Sequence, residues 1–236
     1  MKIAVMQPYF FPYIGYFSLI KVSDLFILFD TPQYIRHGWI ERNRILKIDG
    51  QPLYIKIPLM KHSRQTSIKE ITINQKEKWQ SKIIAQLAIY KKKAPHYYAV
   101  IDLVNELFKI QTDDIVELNY HALKLTCNYL NIETPIKIWS KMDINIQNVS
   151  EPDEWALNIC KSLNANTYYN PIGGLTFFNR EKYELNNIKI HFLESLPMEY
   201  RQLGNFNFVP FLSIIDVMMF NDKNDIHKMI DNYLLK

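Results

Sequence analysis

Cysteine is scarce in this 236-residue chain, which contains only Cys127 and Cys160. Each lies inside a helical, mostly apolar pattern, and neither belongs to a CxxC pair or has a nearby histidine at metal-ligand spacing. The six histidines form no HxxH or HExxH motif, so we predict no metal site. We expect two buried free thiols, as suits a reducing cytoplasm.

Long hydrophobic runs are also lacking, since no apolar stretch reaches the roughly 18 residues that a membrane-spanning helix needs. The apolar start, residues 1–6, leads directly into a polar, proline-containing turn and does not resemble a signal peptide. These absences predict a soluble, cytoplasmic protein without a membrane span.

Neither sign of charge dominates, because 28 Lys and Arg against 24 Asp and Glu leave a net charge of +4. The short lysine run at 91–93 is typical of a solvated helix face, and no nucleic-acid-binding signature occurs. We predict no nucleic-acid partner, although a mildly positive cleft would suit a phosphorylated ligand.

Aromatic side chains, in contrast, are abundant, with 15 Tyr, 13 Phe and 4 Trp in a composition that is 48% hydrophobic. Such a chain can bury a large core. Aromatic rings also form flat platforms for sugar rings and nucleobases.

The first 30 residues predict a βαβ unit. Apolar strands at 3–6 and 25–29 flank an amphipathic helix that starts beyond Pro12 and ends at Ser23-Asp24. Strands in such a unit are parallel, and ligands bind at their carboxyl ends. Gln7 and Asp30 stand at these two ends, so we expect the active site there.

The remaining pattern predicts the α/β class: a Rossmann-like parallel sheet that opens with the βαβ unit, plus a mainly helical lobe at about 76–130. We interpret residues 1–236 as a single domain. Further strands are predicted at 53–57, 68–73, 136–139, 167–169 and 188–193, and helices at 79–90, 96–108, 114–129, 155–163, 210–220 and 226–235.

The loop at 7–16 offers an amide, stiffening prolines, three tyrosine hydroxyls and a glycine at the start of a helix, where free N–H groups can bind an anion. The candidate binding residues in it are Gln7, Tyr9, Tyr13, Gly15 and Tyr16. An aromatic-rich turn that only packs is the alternative.

The segment 31–44 follows the second strand and is dense in Arg, His, Gln, Asn and Trp, which is typical of a binding loop. Its candidate binding residues are Gln33, Trp39, Arg42, Asn43 and Arg44. We predict His37 as the general base, with Asp30 as the second candidate. A solvated loop whose tryptophan packs on the core, with His37 a surface histidine, is the alternative.

Two later segments contain further candidate residues. Gly173 and Gly174 follow a strand and would let the backbone approach a sugar or phosphate, unless they only form a tight turn. Ser213 and Asp216 share one face of a predicted helix, where they either cap a buried network or point into a pocket. The surroundings of Ser213 lack the GxSxG elbow of a nucleophilic serine.

Three segments together resemble the WbqC-like family over nearly the whole chain: residues 6–17 (MQPYFFPYIGYF), residues 38–44 (GWIERNR), and Tyr200-Arg201-Gln202 followed by residues 212–216 (LSIID). Members of this bacterial family are commonly encoded with O-antigen and other surface-polysaccharide enzymes. The resemblance implies a transferase in that lipopolysaccharide pathway and adds Gln202 to the candidate binding residues.

A weaker resemblance links Pro12 to Tyr16 with the strand-to-helix motif of nucleotidylyltransferases, and residues 30–34 with a segment of pantothenate synthetases. In those Rossmann-like enzymes two histidines contact the phosphates, whereas this chain has Tyr13 and Tyr16. Tyrosine cannot place positive charge on a leaving pyrophosphate at pH 7. The hypothesis is then that the positive charge comes from Arg36, His37, Arg42 and Arg44.

The leading hypothesis is an N-acyl or aminoacyl transferase that moves a small group, for example glycyl, onto a nucleotide-linked amino sugar. The alternative is a non-catalytic nucleotide-sugar-binding protein derived from a nucleotidyltransferase-like fold. Either protein would bind a nucleotide-linked sugar or another phosphorylated small molecule. The sequence identifies no cofactor and leaves a homo-oligomer open.

Overall fold

The computed structural model describes residues 1–146, 148–204 and 207–236. Its strands are β1 (Lys2–Met6), β2 (Leu25–Leu28), β3 (Arg42–Leu46), β4 (Pro52–Lys56), β5 (Ile136–Ile138), β6 (Thr167–Pro171), β7 (Lys189–Ser195) and β8 (Tyr233–Leu235). Its α-helices are α1 (Ile14–Val22), α2 (Trp79–Leu87), α3 (Tyr97–Phe108), α4 (Ile115–Tyr129), α5 (Glu154–Ser162), α6 (Arg180–Glu184), α7 (Ile214–Phe220) and α8 (Lys223–Ile230).

The predicted βαβ unit is confirmed. β1 and β2 run parallel, with Ile3 opposite Leu25 and Met6 opposite Leu28, and α1 connects them. Successive strand residues point to opposite sides of the sheet. Ala4 therefore packs into the core on one side and Ile3 into the core on the other.

The central sheet has six strands in the order β5-β2-β1-β6-β7-β8, and only β8 is antiparallel to its neighbour. The chain moves outward from β1 through β2 to β5 and then returns to place β6 on the other side of β1. This is the doubly wound order of Rossmann-like α/β proteins, and it confirms the predicted class. The order reverses between β1 and β6, where such folds bind ligands.

Helices cover both faces of the sheet. The larger core joins α1, α7 and α8 with α2, α3 and α4, because Trp79, Val104 and Leu123 belong to the same buried cluster as Ala4 and Phe26. On the opposite face, α5 and α6 pack against the sheet in a second cluster. Helices at 79–87, 97–108 and 115–129 thus share their core with the sheet.

Several predicted elements were wrong or missing. Residues 68–73 were expected to form a strand, but they begin with a 3₁₀ helix, Ile68–Glu70, which the reciprocal capping of Ser67 and Glu70 favours. Isolated bridges at Thr72 and Ile73 are the remaining strand-like contacts there. The predicted helix at 226–235 ends at Ile230, and its last residues form β8 against β7. Helix α6 was not predicted.

The antiparallel pair of β3 and β4 is the most consequential difference, because β3 occupies part of the predicted loop at 31–44. Asn43 is buried in this strand, whereas Arg42 and Arg44 are half-buried on its other face. The polar Arg42-Asn43-Arg44 start of the strand conceals the hydrophobic alternation that predicts strands.

Cys127 and Cys160 are free and buried, as predicted. Burial raises the pKa of each thiol to about 12, which keeps both protonated at neutral pH. Within the described ranges, no helix combines the length and apolar character needed to cross a bilayer.

Candidate functional site

A cavity of about 400 Å³ lies at the carboxyl ends of β1, β6 and β7, beside the point where the strand order reverses. We call it the switch-point cavity. It is lined by Met6, Tyr9, Pro12, Tyr13, Trp39, Asn43, Arg44, Pro171, Ile172, Gly173, Leu193, Ser195 and Phe211. These residues come from five separate parts of the chain, which the fold brings to one edge of the sheet.

One wall of the cavity is the loop between β1 and α1, and buried amides hold this loop in place. The Asn43 side chain donates from Nδ2 to the Phe10 and Phe11 carbonyls, at 3.1 and 2.9 Å. Asn119 donates to the Pro8 carbonyl at 2.8 Å. Because buried carbonyls need a donor and this loop has no regular secondary structure, these two amides supply what a strand or helix otherwise would.

The amino end of α7 fixes the same loop from another side. Ser213 Oγ donates to the Phe11 carbonyl at 2.7 Å, and the Ile214 amide donates to the Pro12 carbonyl at 2.9 Å. Phe11 has a left-handed backbone with φ of 39°, which is uncommon for a bulky residue. Its carbonyl accepts from both Asn43 and Ser213, so the surrounding structure determines this conformation.

Asp216 lies in the first turn of α7 and is fully buried. Its carboxylate accepts hydrogen bonds from the hydroxyls of Tyr90 and Tyr200, and the Tyr90 hydroxyl accepts the Leu46 amide at 3.1 Å. Burial raises the pKa of Asp216 to about 6, against the opposing effect of the two phenol hydrogen bonds. Of the two alternatives for Ser213 and Asp216, the structure shows the buried network.

Two residues that line the cavity, Arg44 and Ser195, each have a buried polar atom, Nε and Oγ, for which no hydrogen-bond partner occurs among the described residues. The Arg44 guanidinium lies 5.3 Å from the Trp39 ring centre, and its Nη2 makes a long 3.5 Å contact with the Phe211 carbonyl. A buried donor without a partner costs about 1–3 kcal/mol. Such atoms are uncommon in folded proteins, and two of them belong to side chains that line this one cavity.

Two tyrosines add aromatic surface and hydroxyl groups. Burial raises the pKa of Tyr9, and burial followed by the proximity of Tyr9 raises that of Tyr13. Both phenols are therefore protonated at neutral pH and can donate hydrogen bonds. The Tyr13 ring packs edge-on against Phe211, with 5.7 Å between ring centres.

Six of the predicted binding residues line the switch-point cavity, namely Tyr9, Tyr13, Trp39, Asn43, Arg44 and Gly173. The structure places other predicted residues in supporting positions. Tyr16 is fully buried and donates its hydroxyl to the Gln7 carbonyl at 2.7 Å. A Cβ on Gly174 would collide with the Asn170 side chain, so this glycine serves packing.

Arg42, Gln202 and Gln33 also bond to the protein itself. Arg42 donates to the carbonyls of His37 and Gly38 and stacks on the Tyr54 ring at 4.6 Å. Gln202 bonds to both backbone groups of Val209. The Gln33 side chain donates to the Arg64 carbonyl.

The two predicted catalytic residues lie outside the lining of the switch-point cavity. The Asp30 carboxylate is buried and accepts hydrogen bonds from the amide and hydroxyl of Ser140, in the segment after β5. His37 is exposed on a turn with φ of 63° and lines a different cleft, together with His62. Turn geometry separates the side chains of His37 and Trp39, although only Gly38 lies between them in the sequence.

Ser195 is the polar lining residue that the sequence did not reveal. The predicted strand ended at 193, but β7 continues to Ser195 and carries this hydroxyl to the carboxyl edge of the sheet. Leu193 and Ser195 lie two positions apart, so both point to the same face. The sequence signal that could have identified Ser195 is a longer strand β7, with this polar residue at its carboxyl end.

Gly15 permits α1 to approach β7 closely. A Cβ at this position would lie 2.5 Å from Tyr13 Cε2 and 2.7 Å from Ser195 Cβ. We expect Gly15→Ala to lower the free energy of unfolding by about 2 kcal/mol, because overpacking forces both neighbours to shift. Thermal denaturation should show a decrease of roughly 4–8 °C.

Gly173→Ala is the matched control, because nothing lies within 4 Å of a Cβ built at Gly173. Its stability should stay within about 0.5 kcal/mol of the original protein. Equal melting temperatures for the two variants would contradict the close contact at Gly15.

The fold and this cavity together define a doubly wound α/β protein with an aromatic-lined cavity at its switch point. The model of the WbqC-like protein family matches residues 7–228, and the chain belongs to that family. It is also similar to the uncharacterized protein Rv1507c of Mycobacterium tuberculosis (strain ATCC 25618 / H37Rv), with 26% identity over 220 residues that cover 92% of each chain. No solved structure matches.

Proposed function

We propose that this protein is a transferase of bacterial surface-polysaccharide (O-antigen) synthesis that moves a small acyl or aminoacyl group onto a nucleotide-linked amino sugar. The observation that carries this proposal is a pair of buried donors, Arg44 Nε and Ser195 Oγ, which have no partner among the described residues and belong to side chains that line a cavity walled by aromatic rings. Membership of the WbqC-like family supports the pathway.

The cavity offers each part of such a substrate a matching group. The rings of Tyr9, Tyr13 and Trp39 provide flat apolar surfaces against which a sugar or base can stack. The Arg44 guanidinium can hold a phosphate oxygen, and stacking on Trp39 limits its movement. Ser195 Oγ can donate to a sugar hydroxyl or phosphate oxygen.

The proposed reaction needs positioning more than a strong base. The neutral amine attacks the acyl carbonyl, a C–N bond forms, and the bond from the carbonyl to the donor's leaving atom breaks. The leaving atom takes the electron pair, and the proton from the amine passes to it or to solvent. Holding both partners in one cavity supplies much of the rate.

A second candidate function is non-catalytic binding of a nucleotide-sugar. It is favoured by the cavity lining, because no carboxylate or histidine occurs among the described residues that form it. The phenols of Tyr9 and Tyr13, whose pKa values are raised, do not act as bases at neutral pH.

The test uses thermal shift with UDP-, GDP- and dTDP-linked amino sugars, each compared with the free nucleotide and the free sugar. At one hundred times its Kd, the matching nucleotide-sugar should raise the melting temperature by roughly 5–10 °C. Trp39→Ala should reduce this shift. Mass spectrometry after incubation with acetyl coenzyme A or a glycyl thioester should then show an acylated sugar.

The outcomes separate the candidates. Stabilisation together with an acylated product supports the transferase, and stabilisation without a product from any donor supports the binding protein. Absence of stabilisation by every nucleotide-sugar would contradict both.

A further inference from the structure

A second cleft, of about 430 Å³, lies between the segment after β2 and the segment after β4. Four of its lining residues are arginines or histidines, namely Arg36, His37, His62 and Arg64. We call it the cationic cleft. The residues lining it are distinct from those of the switch-point cavity, and no carboxylate is among the described residues that line it.

The two arginines of the cationic cleft carry charge that the protein does not neutralise locally. Neither Arg36 nor Arg64 forms an ion pair with an acidic side chain in the part of the chain that the structure describes. Guanidinium groups present several donors in a planar array that matches the oxygens of phosphate.

Hydrogen bonds between the two segments give the cleft a defined shape. The Tyr34 amide donates to the Thr66 carbonyl at 2.9 Å, and the Gln33 side chain donates to the Arg64 carbonyl. Gln33 and Ser67 also form an isolated antiparallel bridge. The walls are therefore held by the backbone and do not depend on the ligand.

His62 supplies the second, independent observation. Its Nδ1 lies 2.9 Å from the Met60 carbonyl. Nδ1 must carry a proton to bond there, which leaves Nε2 as the free ring nitrogen. Nε2 is buried and has no hydrogen-bond partner among the described residues. The Tyr34 ring packs edge-on against the imidazole, with 5.0 Å between ring centres, and limits its rotation.

We propose that the cationic cleft is a second binding site, specific for a phosphate or diphosphate group. Arg36 and Arg64 bind the anionic oxygens, and His62 contributes Nε2, the ring nitrogen that has no partner among the described residues. This site is independent of the proposed transferase function, since no residue of the switch-point cavity takes part. The phosphate is free in solution or belongs to a nucleotide, and the probes distinguish these sources.

The experiment is a calorimetric titration of the full chain with inorganic pyrophosphate, repeated with inorganic phosphate and with UDP. We expect saturable binding of pyrophosphate that Arg36→Ala and Arg64→Ala each weaken at least about ten-fold, as expected for loss of a charge-assisted hydrogen bond. Lys61→Ala is the matched control, because it removes the same charge from an exposed neighbour outside the cleft. It should change affinity less than about two-fold.

Three results would overturn the proposal: no saturable binding of any of the three probes, equal weakening by Lys61→Ala, or loss of binding in Arg44→Ala with no loss in the cleft variants. The last result would show that the anion binds in the switch-point cavity and not in the cationic cleft. Tighter binding of UDP than of pyrophosphate identifies a nucleotide as the source. Circular dichroism of each variant establishes that it is folded.

Discussion

Replacing Asp216 with alanine is expected to lower the free energy of unfolding by roughly 3–5 kcal/mol, because it leaves one buried and one partly buried phenol without an acceptor. The hydroxyls of Tyr90 and Tyr200 both donate to this carboxylate. Urea denaturation measures the effect. Tyr200→Phe, which removes one donor and keeps the ring, should cost only about 1 kcal/mol. A smaller effect for Asp216→Ala than for Tyr200→Phe would contradict the network.

Asp216 should also make stability depend on pH, with a sign opposite to that of a carboxylate in a surface ion pair. Burial raises the pKa of Asp216 from 3.8 to about 6, so the folded state retains a proton that the unfolded chain releases above pH 4. The contribution of Asp216 to stability is complete below that pH and decreases as the pH rises through 6. Above pH 7 it changes no further.

Asp216→Asn isolates this contribution, because the amide keeps an acceptor but does not titrate. Relative to the variant, the original protein should lose on the order of 3 kcal/mol of stability between pH 4 and pH 7. The difference between the two proteins is the proper measure, since other carboxylates titrate in the same range. A constant difference across this range would show that folding leaves the pKa of Asp216 unchanged.

Hydrophobic periodicity was sufficient to predict the first βαβ unit and the α/β class. β1 and β2 are buried on both faces and read as continuous apolar runs, which is typical of central parallel strands. Hydrophobic periodicity does not predict elements that tertiary contacts determine. β8 forms because β7 offers it an edge, and β3 begins with Arg42-Asn43-Arg44, whose polar side chains conceal a strand.

The site could be predicted in part for a similar reason. Carboxyl ends of parallel strands meet at one edge, so the loop at 7–16 was a sound candidate, and the structure brings Tyr9 and Tyr13 to the cavity there. The residue type did not reveal which way each side chain points. Arg42 and Arg44 share a face of β3, yet only Arg44 lines the cavity. Predicting Ser195 as a lining residue required knowing that β7 ends at this residue and not at position 193.

Several residues of the family-like segments build the cavity instead of facing it. Ser213 donates to the Phe11 carbonyl of the loop after β1, and Tyr16 donates to the Gln7 carbonyl. Asn119 of α4, outside those segments, donates to the Pro8 carbonyl of the same loop. Such a loop has no ladder or helix to satisfy its backbone, so side chains from distant segments must do so. The result is a wall whose backbone is held by side-chain hydrogen bonds from several segments.

Arg44→Ala is expected to weaken nucleotide-sugar binding by about 10- to 100-fold, because a charge-assisted hydrogen bond contributes roughly 1.5–3 kcal/mol. Arg44 Nε is buried without a partner among the described residues, and the guanidinium stacks on Trp39. Arg44→Lys keeps the charge but loses the planar group, so it should recover only part of the affinity. Calorimetric titration with the nucleotide-sugar that stabilises the protein most provides the measurement.

Arg42→Ala makes the comparison decisive, since Arg42 lies two residues away on the same face of β3 but stacks on Tyr54 outside the cavity. Its loss removes hydrogen bonds to the His37 and Gly38 carbonyls, so it should affect stability more than affinity. We expect its Kd to stay within about two-fold of the original value. Equal weakening by both variants would mean that overall positive charge, and not the cavity, binds the ligand. Loss of affinity in Arg44→Ala alone assigns the anionic group of the substrate to the switch point between β1 and β6.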